Sequence, residues 1–220
     1  MSILATNKGG SYEPVPSGNH LARCYSMIQI GTIIDPTFQT PRSLVRITWE
    51  LPKERKVFKE ENGEQPYSIS KEYTISMNEK ANLRKDLESW RGKAFTEKEA
   101  ESFDITKLLG VAGLLNVIHK QGKNGNTYAV VSGISPVPKG MECPKQENPT
   151  FELSYSAWDD KKFAALPEFI KEKMQQTAEF KSIVEGTQTP RILREADSLL
   201  NRIAVHLDEE PKQAEDDLPF

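Results

Sequence analysis

The feature that most constrains this chain is a change of hydrophobic period part-way along it. Three early stretches, residues 20–34, 43–51 and 67–77, alternate side chains with period two, as strands with unlike faces do. In the first, Leu21, Arg23, Tyr25, Met27 and Gln29 share one face, while Ala22, Cys24, Ser26, Ile28 and Ile30 share the other, and Asp35-Pro36 stops the run. In the second, Val45, Ile47, Trp49 and Leu51 oppose Leu44, Arg46 and Thr48. Pro52 is expected to end that strand, leaving residues 53–65 as an exposed hairpin loop. In the third, Ile69, Lys71, Tyr73 and Ile75 share a face. The period then becomes helical over 79–90, where Ala81, Leu83, Leu87 and Trp90 are apolar. Asn78 is the expected N-cap and Gly92 the stop. Two more strands are expected at 111–119 and 127–137, joined by the turn at 122–126.

Three strands, a helix and two strands is the order of the five-stranded Greek-key barrel known as the OB-fold, whose helix lies between strands three and four. The expected class is therefore mainly β with helical additions (α+β), followed by C-terminal helices and a disordered acidic tail. The expected organisation is a flexible arm over 1–19, an OB-fold domain over 20–140, a linker and helical extension over 141–207, and a tail over 208–220. Phe151 to Tyr155 reads as an edge strand. Residues 159–186 read mostly as helix, with Phe163, Leu166, Phe169, Ile170, Met174 and Phe180 as the apolar set. A last helix is expected from Pro190 to about Leu207, with a stripe suited to packing on the body or on a copy of itself in another subunit. Whether the chain forms a homo-oligomer is left open.

Charge is unevenly placed. Residues 1–150 carry 20 Lys+Arg against 17 Asp+Glu (+3), and residues 151–220 carry 9 against 15 (−6). A mildly basic body with an acidic tail suits a body that meets phosphate. Binding an unpaired strand without reading its sequence needs cations along the phosphates and flat rings under the bases. The body interleaves the two. The candidates are Arg23, Tyr25, Arg46, Lys71, Tyr73, Arg84, Lys85, Arg91, Lys93, Lys120, Lys123 and Tyr128. Trp49 and Trp90 lie on apolar faces and read as core, whereas Tyr73 is balanced between core and surface.

The chain ends Glu215-Asp216-Asp217-Leu218-Pro219-Phe220. Pro219 biases Leu218 toward extended backbone, and Phe220 sets an apolar ring beside a free carboxylate. A partner could hold both with an apolar pocket edged by Arg or Lys. This ending resembles the acidic C-terminal tip of bacterial and phage single-stranded DNA-binding proteins. Residues 10–24, Thr48-Trp49-Glu50-Leu51-Pro52 and residues 87–95 resemble the phage-encoded type. The resemblance implies a non-catalytic protein that coats single-stranded DNA in replication, recombination or repair. Asp216, Asp217, Leu218, Pro219 and Phe220 would then capture replication or recombination proteins. The short tether and the helical segment before it depart from the bacterial pattern, which puts the bacterial tetramer in doubt for this chain.

Strand annealing or recombinase loading is the alternative role. A magnesium-dependent nuclease using Asp35, Glu50, Glu72 and Asp104 is a weaker one, since scattered carboxylates are ordinarily solvated. There is no Gly-rich phosphate loop, nucleophile elbow or His/Cys metal spacing, so no enzyme activity, cofactor or metal is expected. Cys24 and Cys143 are isolated and fit reduced thiols. No apolar run suits a membrane span and residues 2–8 lack the shape of a signal peptide. A cytoplasmic location is expected, in a bacterial host if the chain is phage-encoded.

Overall fold

The computed structural model describes residues 13–35 and 39–186. The start of the expected arm, the last helix from Pro190, the tail and the tip residues Asp216, Asp217, Leu218, Pro219 and Phe220 lie outside the described residues.

Strand β1 (Gly18–Ile34) pairs antiparallel with both β2 (Pro41–Lys59) and β4 (Ala112–Gln121). Strand β3 (Gly63–Thr74) extends the sheet beyond β2, and β5 (Thr127–Ser135) extends it beyond β4, giving the order β3-β2-β1-β4-β5. The sheet curls into a half-barrel. Cα atoms of β3 and β5 come within 8 Å of each other, with no ladder between them. Helix α1 (Asn82–Arg91) follows β3 in the chain, then the single turn α2 (Glu97–Ala100).

The hollow of the curl is filled by Ala22, Cys24, Val45, Ile47, Trp49, Leu51, Ile69, Leu115, Val117 and Ile134, and α1 adds Leu83, Leu87 and Trp90. The Trp49 and Trp90 rings lie 5.9 Å apart, so both act as core, as their apolar faces predict. Trp90 Nε1 donates to the Ala112 carbonyl at 2.9 Å. A Cβ on Gly113 would sit 2.8 Å from that nitrogen, so only glycine lets the indole reach the strand.

Four expectations need correcting. Tyr25 is an extra residue in a bulge between the pairs Cys24↔Trp49 and Ser26↔Thr48. The bulge flips the phase, so Met27 joins Ala22 and Cys24 in the hollow while Ile28 and Ile30 face the other side. Pro52 does not end its strand. It falls in a second bulge, between Leu51↔Tyr67 and Arg55↔Pro66, where a missing N–H costs no ladder bond. The expected loop at 53–65 is thus a ribbon, turned at Glu60–Asn62, with Phe58 50% exposed and its ring edge-on to Tyr67.

Asn78 does not cap α1. Its side-chain oxygen accepts from Lys80 N at 3.0 Å in a local turn, and Ala81 holds the N-cap position. The expected long helix at 159–186 is three short ones: α3 (Asp160–Ala164), α4 (Glu168–Gln175) and α5 (Ala178–Val184). Pro167 biases Leu166 away from helix and breaks the run before α4. Thr177, whose hydroxyl accepts from Phe180 N at 3.3 Å, starts α5.

These helices and β6 (Phe151–Leu153), which pairs parallel with β1, build a second core on the convex side of the sheet. There Ile28, Ile30 and Leu44 meet Leu153, Tyr155, Leu166, Ile170 and Met174. The segment leading to them is strapped down by Glu50. This fully buried carboxylate accepts from Glu147 N at 2.7 Å, Asn148 N at 2.8 Å and Asn148 Nδ2 at 2.6 Å. Among the described residues no helix is long and apolar enough to cross a membrane.

Candidate nucleic-acid interface

On β2 and β3 the residues pointing away from the hollow alternate with the core set: Arg46 and Thr48 on one strand, Ser68, Ser70, Glu72 and Thr74 on the other. Because α4 packs over only part of this convex face, a cleft of about 360 Å³ stays open between sheet and helix. Tyr25 and Arg46 line it, with hydroxyls from Ser26, Thr48, Ser68 and Ser70 on the sheet side and Pro149, Phe151 and Phe169 opposite. Burial pushes the Tyr25 phenol above its ordinary range, and a hydrogen bond with Ser68 opposes the shift.

Arg46 donates to Glu72 at 3.3 Å, and its guanidinium lies 5.4 Å from the centre of the Phe169 ring. Lys173 of α4 also bonds Glu72. Two cations share one carboxylate, so this trio carries one net positive charge.

Glu72 also lines a second cleft, of about 430 Å³, with Arg42, Lys71, Tyr73, Thr74, Ser76, Asn78 and Lys80. The outward row of β3 connects the two. The predicted residues on this side fall in two groups: Tyr25 of β1 and Arg46 of β2 line the first cleft, and Lys71 and Tyr73 of β3 line the second. Tyr73 is there only by its edge. Its ring is 4% exposed in the core, and its hydroxyl donates to Asp86 at 2.8 Å. Burial, with Asp86 beside it, drives that phenol far above its ordinary range. Lys71 pairs with the same carboxylate at 2.6 Å.

The other predicted cations divide differently. Arg23 donates to the carbonyls of Gly110, Cys143 and Pro144 at 2.7, 2.8 and 3.0 Å. Arg84 donates to Glu88 at 3.0 Å and to the carbonyls of Met77 and Phe95 at 3.1 and 3.3 Å. Arg91 pairs with Glu99 at 3.0 Å and lies 4.3 Å from the Phe95 ring centre. These three guanidiniums hold loops in place. Lys85 and Lys93 are exposed at the α1 end of the molecule. Lys120, Lys123 and Tyr128 sit on the β4–β5 hairpin, Lys120 opposite Tyr128, and line neither cleft.

The carboxylates considered for metal are apart and engaged. Asp35 pairs with Arg42, Glu50 holds the strap, Glu72 holds Arg46 and Lys173, and Asp104 accepts from Thr106. Among the described residues no group of three or more His, Cys, Asp or Glu side chains is placed to hold a metal ion.

Sequence reasoning missed Arg42, Lys173 and the hydroxyl row because isolated polar residues, whether on a strand or on a helix, give no signal of a shared face. It also put Phe169 in the helix core. A helical wheel separates it: Leu166, Ile170 and Met174 repeat every four residues and are buried, while Phe169 falls outside that stripe and is 57% exposed. No known protein family, curated protein or solved structure matches this chain.

Proposed function

We propose that this is an OB-fold protein that binds single-stranded DNA without catalysis and largely without regard to sequence. Its working site is the cytoplasm, where it serves replication, recombination or repair. The observation that carries the reading is the meeting of Tyr25, Arg46 and exposed Phe169 in one open cleft on the face of β2 and β3. Such barrels bind oligonucleotides on the strand 2–3 face. A ring surface beside a cation, ringed by hydroxyls that can either donate or accept, suits any base on a phosphate chain. The strand order supports the fold, with α1 between β3 and β4 in the chain and the open curl of the sheet as its structural counterpart. The acidic ending supports the second half of the proposal, in which Asp216, Asp217, Leu218, Pro219 and Phe220 recruit partner proteins.

The test is an anisotropy titration of labelled oligo-dT at about 50 and about 200 mM salt. Binding that weakens steeply with salt is expected. Absence of binding at low micromolar protein in the lower salt, or an affinity that ignores salt, rejects the reading.

A further inference from the structure

We infer that α4 supplies half of the base-binding site: Phe169 is a stacking platform on which an unpaired base lies, across the cleft from Tyr25, with the neighbouring phosphate drawn to Arg46 and Lys173. The inference rests on the single-stranded DNA reading above and assigns the C-terminal helices a direct part in it.

Three observations converge on Phe169. A phenylalanine next to the buried Ile170 stays 57% exposed and lines the cleft. Arg46 lies against this ring at 5.4 Å while its guanidinium is tied to Glu72, which is also held by Lys173 from the same helix as Phe169. Sheet and helix are thereby cross-linked around the ring, fixing its height over the cleft before any ligand arrives. Such preorganisation lowers the ordering cost of binding.

The cleft's lining then selects the ligand. A volume of about 360 Å³ is at the small end for ligand sites, the scale of a single nucleotide. Thr48 and Ser70 hydroxyls already bond each other at 2.9 Å, and Ser68 lies in the same row, so a base edge meets groups that change role to suit it. An apolar ligand would use neither those hydroxyls nor the Arg46 guanidinium at the cleft wall. A flat, polar-edged ring on an anionic backbone fits both.

The experiment uses the full chain and labelled oligo-dT. Phe169→Ala and Phe169→Leu are each expected to weaken binding roughly 5- to 100-fold with the dependence on salt unchanged, because a stack carries no counterion release. Phe169→Tyr is expected to keep wild-type affinity. Irradiation of an oligo-dT carrying 5-iodouracil should attach DNA to the tryptic peptide 163–171, and the attachment should vanish in Phe169→Ala. If the wild type binds and the Ala and Leu variants bind as well as it does, or if the adduct forms elsewhere, this inference falls while the DNA reading stands. If the wild type does not bind oligo-dT at all, the DNA reading itself falls.

Discussion

Arg84 and Arg46 look alike in the sequence, each a cation beside a strand or helix rich in apolar residues, yet the fold uses them in opposite ways. Around α1, Arg84 spends its donors on Glu88 and two loop carbonyls and is 12% exposed. Glu88 in turn is held below its usual range, first by the Phe95 N–H and then by Arg84. On the convex face of the sheet, Arg46 has a shared carboxylate and an exposed ring. Backbone carbonyls cannot be displaced by an incoming phosphate without unfolding a loop, whereas a carboxylate already served by Lys173 can release Arg46 at little cost. A count of basic residues therefore overstates the interface, and the acceptors of each guanidinium decide which cations remain for DNA.

The largest effect that tests this contrast is on stability. Arg84→Ala leaves the Met77 and Phe95 carbonyls without their donor, and we expect it to cost about 2–3 kcal/mol in a urea melt. The folded variant should bind oligo-dT as the wild type does. A variant of unchanged stability and weakened DNA binding would place α1 in the interface and erase the distinction.

Tyr73→Phe separates Tyr73 from Tyr25 in the same manner. Its hydroxyl is a donor to Asp86 in the core, and its loss should cost about 1.5–2 kcal/mol of stability with DNA affinity unchanged. Tyr25→Ala is expected to do the reverse, weakening binding more than it lowers the melting midpoint. Equal stability losses in both would place Tyr25 in the core as well.

Arg46→Ala should then reduce affinity about tenfold at moderate salt and lower the slope of log affinity against log salt by about 1, with a stability change under about 1 kcal/mol. An unchanged slope would mean that no phosphate reaches Arg46.

Much of the fold was legible in the residues, and the reasons are specific. Val45, Ile47, Trp49 and Leu51 alternate without interruption, so their burial follows from period alone. The phase change in β1 was not legible, because a bulge at Tyr25 depends on its pairing with β2 and leaves no mark in a stretch where both faces carry apolar residues. Nor was the passage of β2 beyond Pro52, since proline stops a strand only where its partner offers a carbonyl. For the site, Tyr25 and Arg46 were visible as an aromatic and a cation in neighbouring strands. Their meeting with Phe169 was not, because it joins segments more than a hundred residues apart through packing of the second core.

The smallest expected effect concerns the third of these arginines. Glu99 accepts from the Thr96 N–H, and Arg91 pairs with it, which together hold its carboxyl down at about 2 from an ordinary 4.5. A depressed acid stabilises the fold fully above the unfolded value. That contribution fades as pH falls from 4.5 toward about 2, where the folded state takes up the proton as well. Glu99→Gln keeps the capping geometry and removes the charge. Its melting temperature should therefore lie below the wild type's at about pH 6, and the gap should narrow by about pH 3 as the wild type loses the same interaction. The site is exposed, so the gap should also shrink in high salt. Oligo-dT affinity at about pH 6 should not move, because Arg91 holds the α2 turn and is not a DNA contact. A fall in affinity there, with the melting temperature unchanged, would return Arg91 to the interface and leave Arg46 as one member of a longer cationic track.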